Sequence, residues 1–261
     1  MISVRIYGEA PYCVAVLHGG PGAPGSVAPV ARELSGRRGV LEPLQAAASV
    51  AGQAQELRDV LKVHGSGPVA LVGHSWGAWL GFIFAARHPG MVRKLVLVGS
   101  GPFEERYARG ITETRLGRLN DKERREAREI ADALNGDGEG RAALLARYGA
   151  LMSKADAYDP LPGDCEDALE FQPDVYASVW KEAAALRRSG ELLDLGKKIR
   201  CPVLAIHGDF DPHPAEGVEE PLKKVLGDFR LIGLGKCGHE PWRERAARDR
   251  FFKILNEEVM S

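Results

Sequence analysis

The chain has 261 residues, 44% of them hydrophobic, enough to bury a full core as one large domain or as a domain carrying an insertion. Its 35 basic and 36 acidic residues leave a formal net charge of −1, which provides no electrostatic footprint for nucleic acid. No stretch approaches the ~18 consecutive apolar residues of a membrane-spanning helix, and the four scattered cysteines (Cys13, Cys165, Cys201, Cys237) lack metal-ligand spacing.

Residues 1–7 alternate like a strand and contain no basic segment followed by an apolar one, so free thiols and a cytoplasmic address are expected. Residues 12–17 form a second strand candidate, which ends in His18-Gly19-Gly20-Pro21-Gly22. Residues 50–63 have helical spacing, with Leu57, Val60 and Leu61 on one face. The continuous apolar run 69–72, bounded by Gly67-Pro68, predicts a buried strand; a small-residue helix over 78–87 follows and stops before Pro89. Residues 94–99 predict another buried strand, and two more are expected at 202–208 and 229–232. Residues 245–259 close the pattern as a helix with Phe251, Phe252, Ile254 and Leu255 facing inward.

This alternation predicts an α/β fold with a mostly parallel sheet covered on both faces. Residues 103–198 interrupt it. They predict charged helices at about 104–134, 140–153 and 174–188, joined by Asn135-Gly136-Asp137-Gly138 and Asp159-Pro160-Leu161-Pro162-Gly163. The expected organisation is a core of residues 1–102 and 199–261 with a helical cap, a lid over the site, at 103–198.

Between the strand at 69–72 and its helix lies Gly73-His74-Ser75-Trp76-Gly77. A Gly-x-Ser-x-Gly at a strand-to-helix turn is a nucleophile elbow: glycines fit beside the serine, and the hydroxyl is pushed out above the sheet. In so glycine-rich a chain the bare pattern arises in roughly one sequence in seven, so partners must decide. A serine hydroxyl needs a histidine to take its proton and a carboxylate to hold that histidine's tautomer. His239, in the glycine-flanked loop Lys236-Cys237-Gly238-His239 between the last strand and the last helix, is the favoured base. For the acid, Gly208-Asp209-Phe210-Asp211 offers two aspartates; Asp211 lies in the turn proper and is preferred to Asp209. The oxyanion hole is expected from the backbone N–H groups of Gly20 and Trp76. His74 is expected to point away from the hydroxyl, and His207 and His213 to be structural or to support the acid.

Together, the HGGPG loop at 18–22, the elbow at 73–77, His88-Pro89, His207-Gly208-x-x-Asp211 and Cys237-Gly238-His239-x-Pro241-Trp242 resemble the α/β-hydrolase superfamily, and within it the prolyl aminopeptidase group. The resemblance covers about residues 12–102 and 199–259. It implies a helical cap inserted before the acid-bearing strand, and a Ser75–Asp211–His239 triad with Gly20 and Trp76 as oxyanion hole. It also implies cap carboxylates that hold a substrate amine, for which Glu166, Asp167, Glu170, Asp174 and Glu182 are the candidates. The Asp-Gln-Arg-Gly run usual in that group is absent; the corresponding region reads Ser35-Gly36-Arg37-Arg38-Gly39.

The expected function is a cofactor-independent, carboxylesterase-like serine hydrolase cleaving small esters or amides through an acyl-enzyme. The alternatives are a prolyl aminopeptidase acting on short peptides and a non-catalytic ligand-binding protein on the same fold.

Overall fold

The structure, a computed structural model, describes residues 3–134, 140–163 and 169–260. Its strands are β1 (Val4–Tyr7), β2 (Tyr12–Leu17), β3 (Gly39–Pro43), β4 (Val69–His74), β5 (Val92–Val98), β6 (Val203–Gly208) and β7 (Phe229–Leu234). They form one sheet in the order β1-β3-β2-β4-β5-β6-β7. Only the β1–β3 pair is antiparallel. The helices of the core are α1 (Ala28–Leu34), α2 (Val50–His64) and α3 (Trp76–Arg87). Between β5 and β6 come α4 (Glu105–Ala108), α5 (Ile111–Arg118), α6 (Asp121–Leu134), α7 (Arg141–Asp156), α8 (Pro173–Ser189) and α9 (Glu191–Asp194). The chain then returns to the sheet with α10 (Glu216–Val225) and α11 (Arg248–Met260).

Every residue of β4 and of β6 is buried, because helices cover both faces. The period of two sorts β2 between two cores. Ala15 and Leu17 join α2, α3 and α10 on one face. Val14 and Val16 join Val30 and Leu34 of α1 and Phe251 and Leu255 of α11 on the other. All five central connections therefore leave the sheet at the same edge, the carboxyl ends of parallel strands, where open α/β sheets place their sites.

The insertion between β5 and β6 is built in two parts. Leu116, Ala127, Ile130 and Leu151 give α5–α7 a small core of their own. Val179 and Ala183 of α8 and Leu192 of α9 instead belong to the main core.

The single helix expected at 104–134 is three. Its last break is a reciprocal cap: Asn120 Oδ1 accepts the Glu123 N–H at 2.9 Å, and Glu123 reaches back to the Asn120 N–H at 3.3 Å. The expected Asn135–Gly138 turn lies outside the described residues, as do Cys165, Glu166 and Asp167.

Candidate active site

Ser75 sits between β4 and α3 with φ 52° and ψ −113°, a left-handed conformation that costs a non-glycine residue about 1–3 kcal/mol. The surroundings enforce it. The Ser75 N–H donates to the Val98 carbonyl at 2.9 Å, and the Ser75 carbonyl accepts the Ala78 N–H at 3.1 Å. A Cβ on Gly73 would lie 2.1 Å from the Gly77 carbonyl oxygen, and one on Gly77 would lie 2.5 Å from that of Leu17. The glycine spacing of the motif is thus a steric requirement of the turn.

The loop after β2 closes over this turn. A Cβ on Gly19 would lie 3.3 Å from Ser75 Cβ and 2.6 Å from the His74 ring. Gly20 turns the loop at φ 51°, and His18 Nδ1 donates to the Gly19 carbonyl at 3.0 Å. Trp76 is the first residue of α3, so its N–H has no partner within the helix and stands beside Ser75. Its indole is anchored 2.8 Å from Gln53 Oε1.

Asp211, in the turn after β6, meets His239: Nδ1 donates to Oδ2 at 2.7 Å. Asp209 does other work, accepting the Cys237 N–H at 3.1 Å and so tying the histidine loop to the acid loop. Gly99, at φ 52°, lies under the pair; a Cβ there would be 2.7 Å from the His239 carbonyl and 3.3 Å from Asp211 Oδ2. The Ser75 hydroxyl has no hydrogen-bond partner among the described residues, a common state for such a group before substrate closes the site.

Three supports of His239 were not read from the sequence. Its backbone N–H donates to the Asp156 carbonyl at 3.0 Å, at the end of α7. The buried Glu244 carboxylate accepts the N–H groups of Gly238 (2.9 Å), Tyr158 (2.8 Å) and Asp159 (2.8 Å), which clamps the histidine loop to the insertion. His74 turns toward the histidine loop: its Nε2 donates to the His239 carbonyl at 3.1 Å, with ring centroids 4.7 Å apart. Apart from the Gly238–Glu244 bond, six residues apart, these contacts are distant in sequence, so no local pattern signals them.

Electrostatics follow from this packing. Burial opposes charge on Asp211, but the neighbouring His239, His213 and His207 hold its carboxyl well below the usual carboxylate range. Burial also opposes charge on His239, and there the Asp211 carboxylate outweighs it, lifting the imidazole above its ordinary value. His74 has no such partner, so burial and the charge of His239 keep it well below its ordinary value. Burial pushes the Cys237 thiol up to about 12, so Cys237 is an inert packing residue. Ligand atoms of Asp211, His213 and His239 lie within 4.8 Å of one another. Each imidazole Nδ1 already bonds an Asp211 oxygen, however, so the group is satisfied as a hydrogen-bonded network.

A pocket of about 250 Å³ opens beside His239, lined by Ser153, Asp156, Ala157, Pro160 and Glu240 among others. On the α8 side an aromatic ladder runs from core to insertion: Trp79 stacks on Trp180 at 5.8 Å, Trp180 on Tyr176 at 6.4 Å, and Phe171 follows at 5.6 Å. Arg115 holds the carboxylate of Asp156, whose carbonyl accepts the His239 N–H, in a two-bonded contact at 2.7 and 2.6 Å. Of the expected amine-holding carboxylates, Glu182 accepts the Val50 N–H at 2.8 Å and so caps α2. Glu170 and Asp174 are exposed.

The sheet order, the strained serine at the end of β4 and the carboxylate–imidazole pair beyond β6 and β7 accord with a family model described as alpha/beta hydrolase fold, which matches residues 14–242. The chain belongs to that family. The curated relatives are distant. A biotin biosynthesis bifunctional protein, BioHC, of Teredinibacter turnerae is 24% identical over 67% of this chain and 30% of its own length. The serine hydrolase BPHL of Mus musculus is 26% identical over 61% of this chain and 44% of its own length. The matched region is thus less than half the length of either relative. Among solved structures, VinJ superposes with a TM-score of 0.71 at 20% identity, covering 98% of this chain and 94% of the other. Proline iminopeptidase from Mycobacterium smegmatis gives 0.64 at 18% identity, covering 98% and 93%. These likenesses establish the fold; at such identities they leave the substrate open. Among the described residues no helix is long and apolar enough to cross a membrane.

Proposed function

We propose that the protein is a serine hydrolase that cleaves small ester or amide substrates through an acyl-enzyme, with Ser75, Asp211 and His239 as its triad. The observation that carries this reading is the 2.7 Å bond from His239 to a buried Asp211, beside a serine held at φ 52°. In this mechanism His239 Nε2 takes the Ser75 proton as Oγ attacks the carbonyl carbon, and Asp211 stabilises the imidazolium that forms. The N–H groups of Gly20 and Trp76 bind the developing oxyanion. His239 then protonates the leaving oxygen or nitrogen, and in the second half-reaction it activates the water that releases the acid. The steps use only these side chains and water.

Within that class the carboxylesterase-like reading is favoured. The aromatic ladder running from Trp79 through Trp180 to Tyr176 is the apolar surface that this reading assigns to the substrate. The buried carboxylate of the insertion, Asp156, is already neutralised by Arg115, so it is a poor seat for a free amine. The prolyl aminopeptidase reading retains one specific support, the HGGPG loop against Ser75.

The test is hydrolysis of a short-chain p-nitrophenyl ester beside a proline arylamide, with Ser75→Ala as control. Ser75→Ala is expected to lower kcat by about 10⁴-fold or more while leaving the fold intact. Faster Ser75-dependent cleavage of the arylamide would replace the esterase reading with the aminopeptidase. Retained turnover in Ser75→Ala, or a parent protein inert to a serine-directed fluorophosphonate, would sink the hydrolase reading.

A further inference from the structure

The mechanism above uses one oxygen of Asp211. The other is also occupied. His213, two residues on, donates to Asp211 Oδ1 twice, from its backbone N–H at 2.9 Å and from its ring Nδ1 at 2.7 Å. The carboxylate therefore lies between two imidazoles, His239 on Oδ2 and His213 on Oδ1, whose rings are 4.7 Å apart and inclined by 33°. Each of the two has its own carbonyl held by a further histidine. His207 Nε2 donates to the His213 carbonyl at 2.7 Å, as His74 does to that of His239. The Asp211 side chain is 0% exposed, so these contacts decide how its charge is distributed.

We propose that His213 is a positioning residue that anchors the far oxygen of Asp211 and limits how much negative charge the carboxylate turns toward His239. Two donors on Oδ1 fix the plane of the carboxylate, so Oδ2 faces His239 without rotational freedom. They also draw electron density toward Oδ1, which weakens the attraction of Oδ2 for a proton on His239. A base that holds its proton too tightly is slow to release it to the leaving group, so this moderation keeps His239 useful in both directions. For this role His213 must stay neutral beside an imidazole that becomes charged. Burial lowers its proton affinity, against the pull of Asp211.

The other charged and titratable groups packed on the cluster have bonds of their own but still act on it. Asp156 raises and Arg115 lowers the proton affinity of His239, and His207 Nε2 lies 3.7 Å from Asp211 Oδ2. Arg118, bonded to the Ala155 carbonyl and lying over the Phe210 ring, faces Asp211 as a further positive charge. Arg115 and Asp156 of the insertion pair with each other. Glu244 holds backbone N–H groups of the histidine loop and the insertion, and Asp209 holds the Cys237 N–H. His74 and His207 each bond a carbonyl.

The inference rests on the triad assigned above, and its test has a readout that does not need turnover. In proton NMR of the parent protein, two imidazole N–H resonances are expected downfield of the amides, one from His239 and one from His213. His213→Asn should remove one and keep the other; a single resonance in the parent overturns the proposal, whatever the substrate proves to be. In kinetics on a p-nitrophenyl ester, His213→Ala should move the acid limb of kcat/KM upward by roughly one pH unit and lower its plateau about tenfold. His213→Asn places an amide donor where Nδ1 stood and should recover most of both. An unmoved limb in His213→Ala, or equal shifts in the Ala and Asn variants, overturns the proposal even where Ser75-dependent hydrolysis is intact.

Discussion

In the proposed mechanism one proton on His239 decides whether Ser75 can be activated, and the packing around the ring gives the direction in which that proton's affinity moves. Burial alone would favour the neutral ring, but the bonded carboxylate of Asp211 prevails and raises the imidazole above its ordinary value of 6.5. General-base chemistry needs the neutral form, so kcat/KM should rise with pH through a midpoint above 6.5. Asp211 is held well below the carboxylate range and stays ionised throughout that window, so it adds no second limb there. A pH profile on a neutral ester checks this. A midpoint near pH ~4, the ordinary carboxylate region, would mean that a different group limits the reaction. At this scale the sequence exposed the residues whose chemistry is written in a local motif. Ser75 sits between obligatory glycines, and His239 sits in a glycine-flanked loop. It hid Glu244 and the Asp156 carbonyl, whose partners lie 6 to 86 residues away or belong to the backbone.

At the scale of elements, β5 delivers no catalytic side chain, yet its end decides whether the dyad fits. Gly99 has φ 52°, and a methyl there would meet the His239 carbonyl at 2.7 Å. Gly99→Ala should therefore cost about 1–3 kcal/mol of stability. It should lower kcat by about tenfold or more with little change in KM, because it displaces the base and spares the substrate surface. Thermal unfolding and steady-state kinetics on one preparation check both. A normal kcat would show that the dyad tolerates the shift.

The central strands β2, β4, β5 and β6 were legible because burial on both faces leaves continuous apolar runs. Strand β3 was not, since it contains Glu42 and Pro43. Glu42 is 0% exposed, and its partners include the Tyr7 hydroxyl, which donates to it at 2.7 Å, and Arg5 at 3.8 Å, both on the antiparallel β1. Helices α1 and α10 escaped as well. Neither has a side-chain cap; α10 carries Pro221 in its interior, which opposes a helix, whereas Pro29 suits the first turn of α1 but that helix has only seven residues to show a period.

At the scale of the molecule, the insertion's fastenings to the core include, among the described residues, three that involve the glycine loop, the histidine loop and α2. Its residues Leu169 and Gln172 donate backbone N–H groups to Pro24 and Gly22 of the glycine loop, at 3.0 and 2.8 Å. The segment after α7 is clamped to the histidine loop through Glu244. Helix α8 reaches α2 and the loop before it through Ser178, which donates to the Ala48 carbonyl at 2.7 Å, and Glu182. Two of these fastenings involve the loops that form the site, so displacing the insertion as a whole would disturb both the glycine loop and His239.

The third touches none of Ser75, Asp211 and His239 and can be weakened by itself. Glu182→Ala removes the acceptor of the Val50 N–H at the start of α2, while Ser49 still accepts the Gly52 N–H at 3.1 Å. The expected cost is about 1 kcal/mol, which lowers Tm by roughly 2–4 °C in a chain of this size. Amide exchange should quicken in the first turn of α2 and the facing turn of α8. The acid limb of kcat/KM should not move, since Glu182 touches neither Asp211 nor His239. If Glu182→Ala instead spares Tm and selectively weakens binding of a proline arylamide, Glu182 is holding a substrate amine, and the aminopeptidase reading gains the carboxylate it lacks.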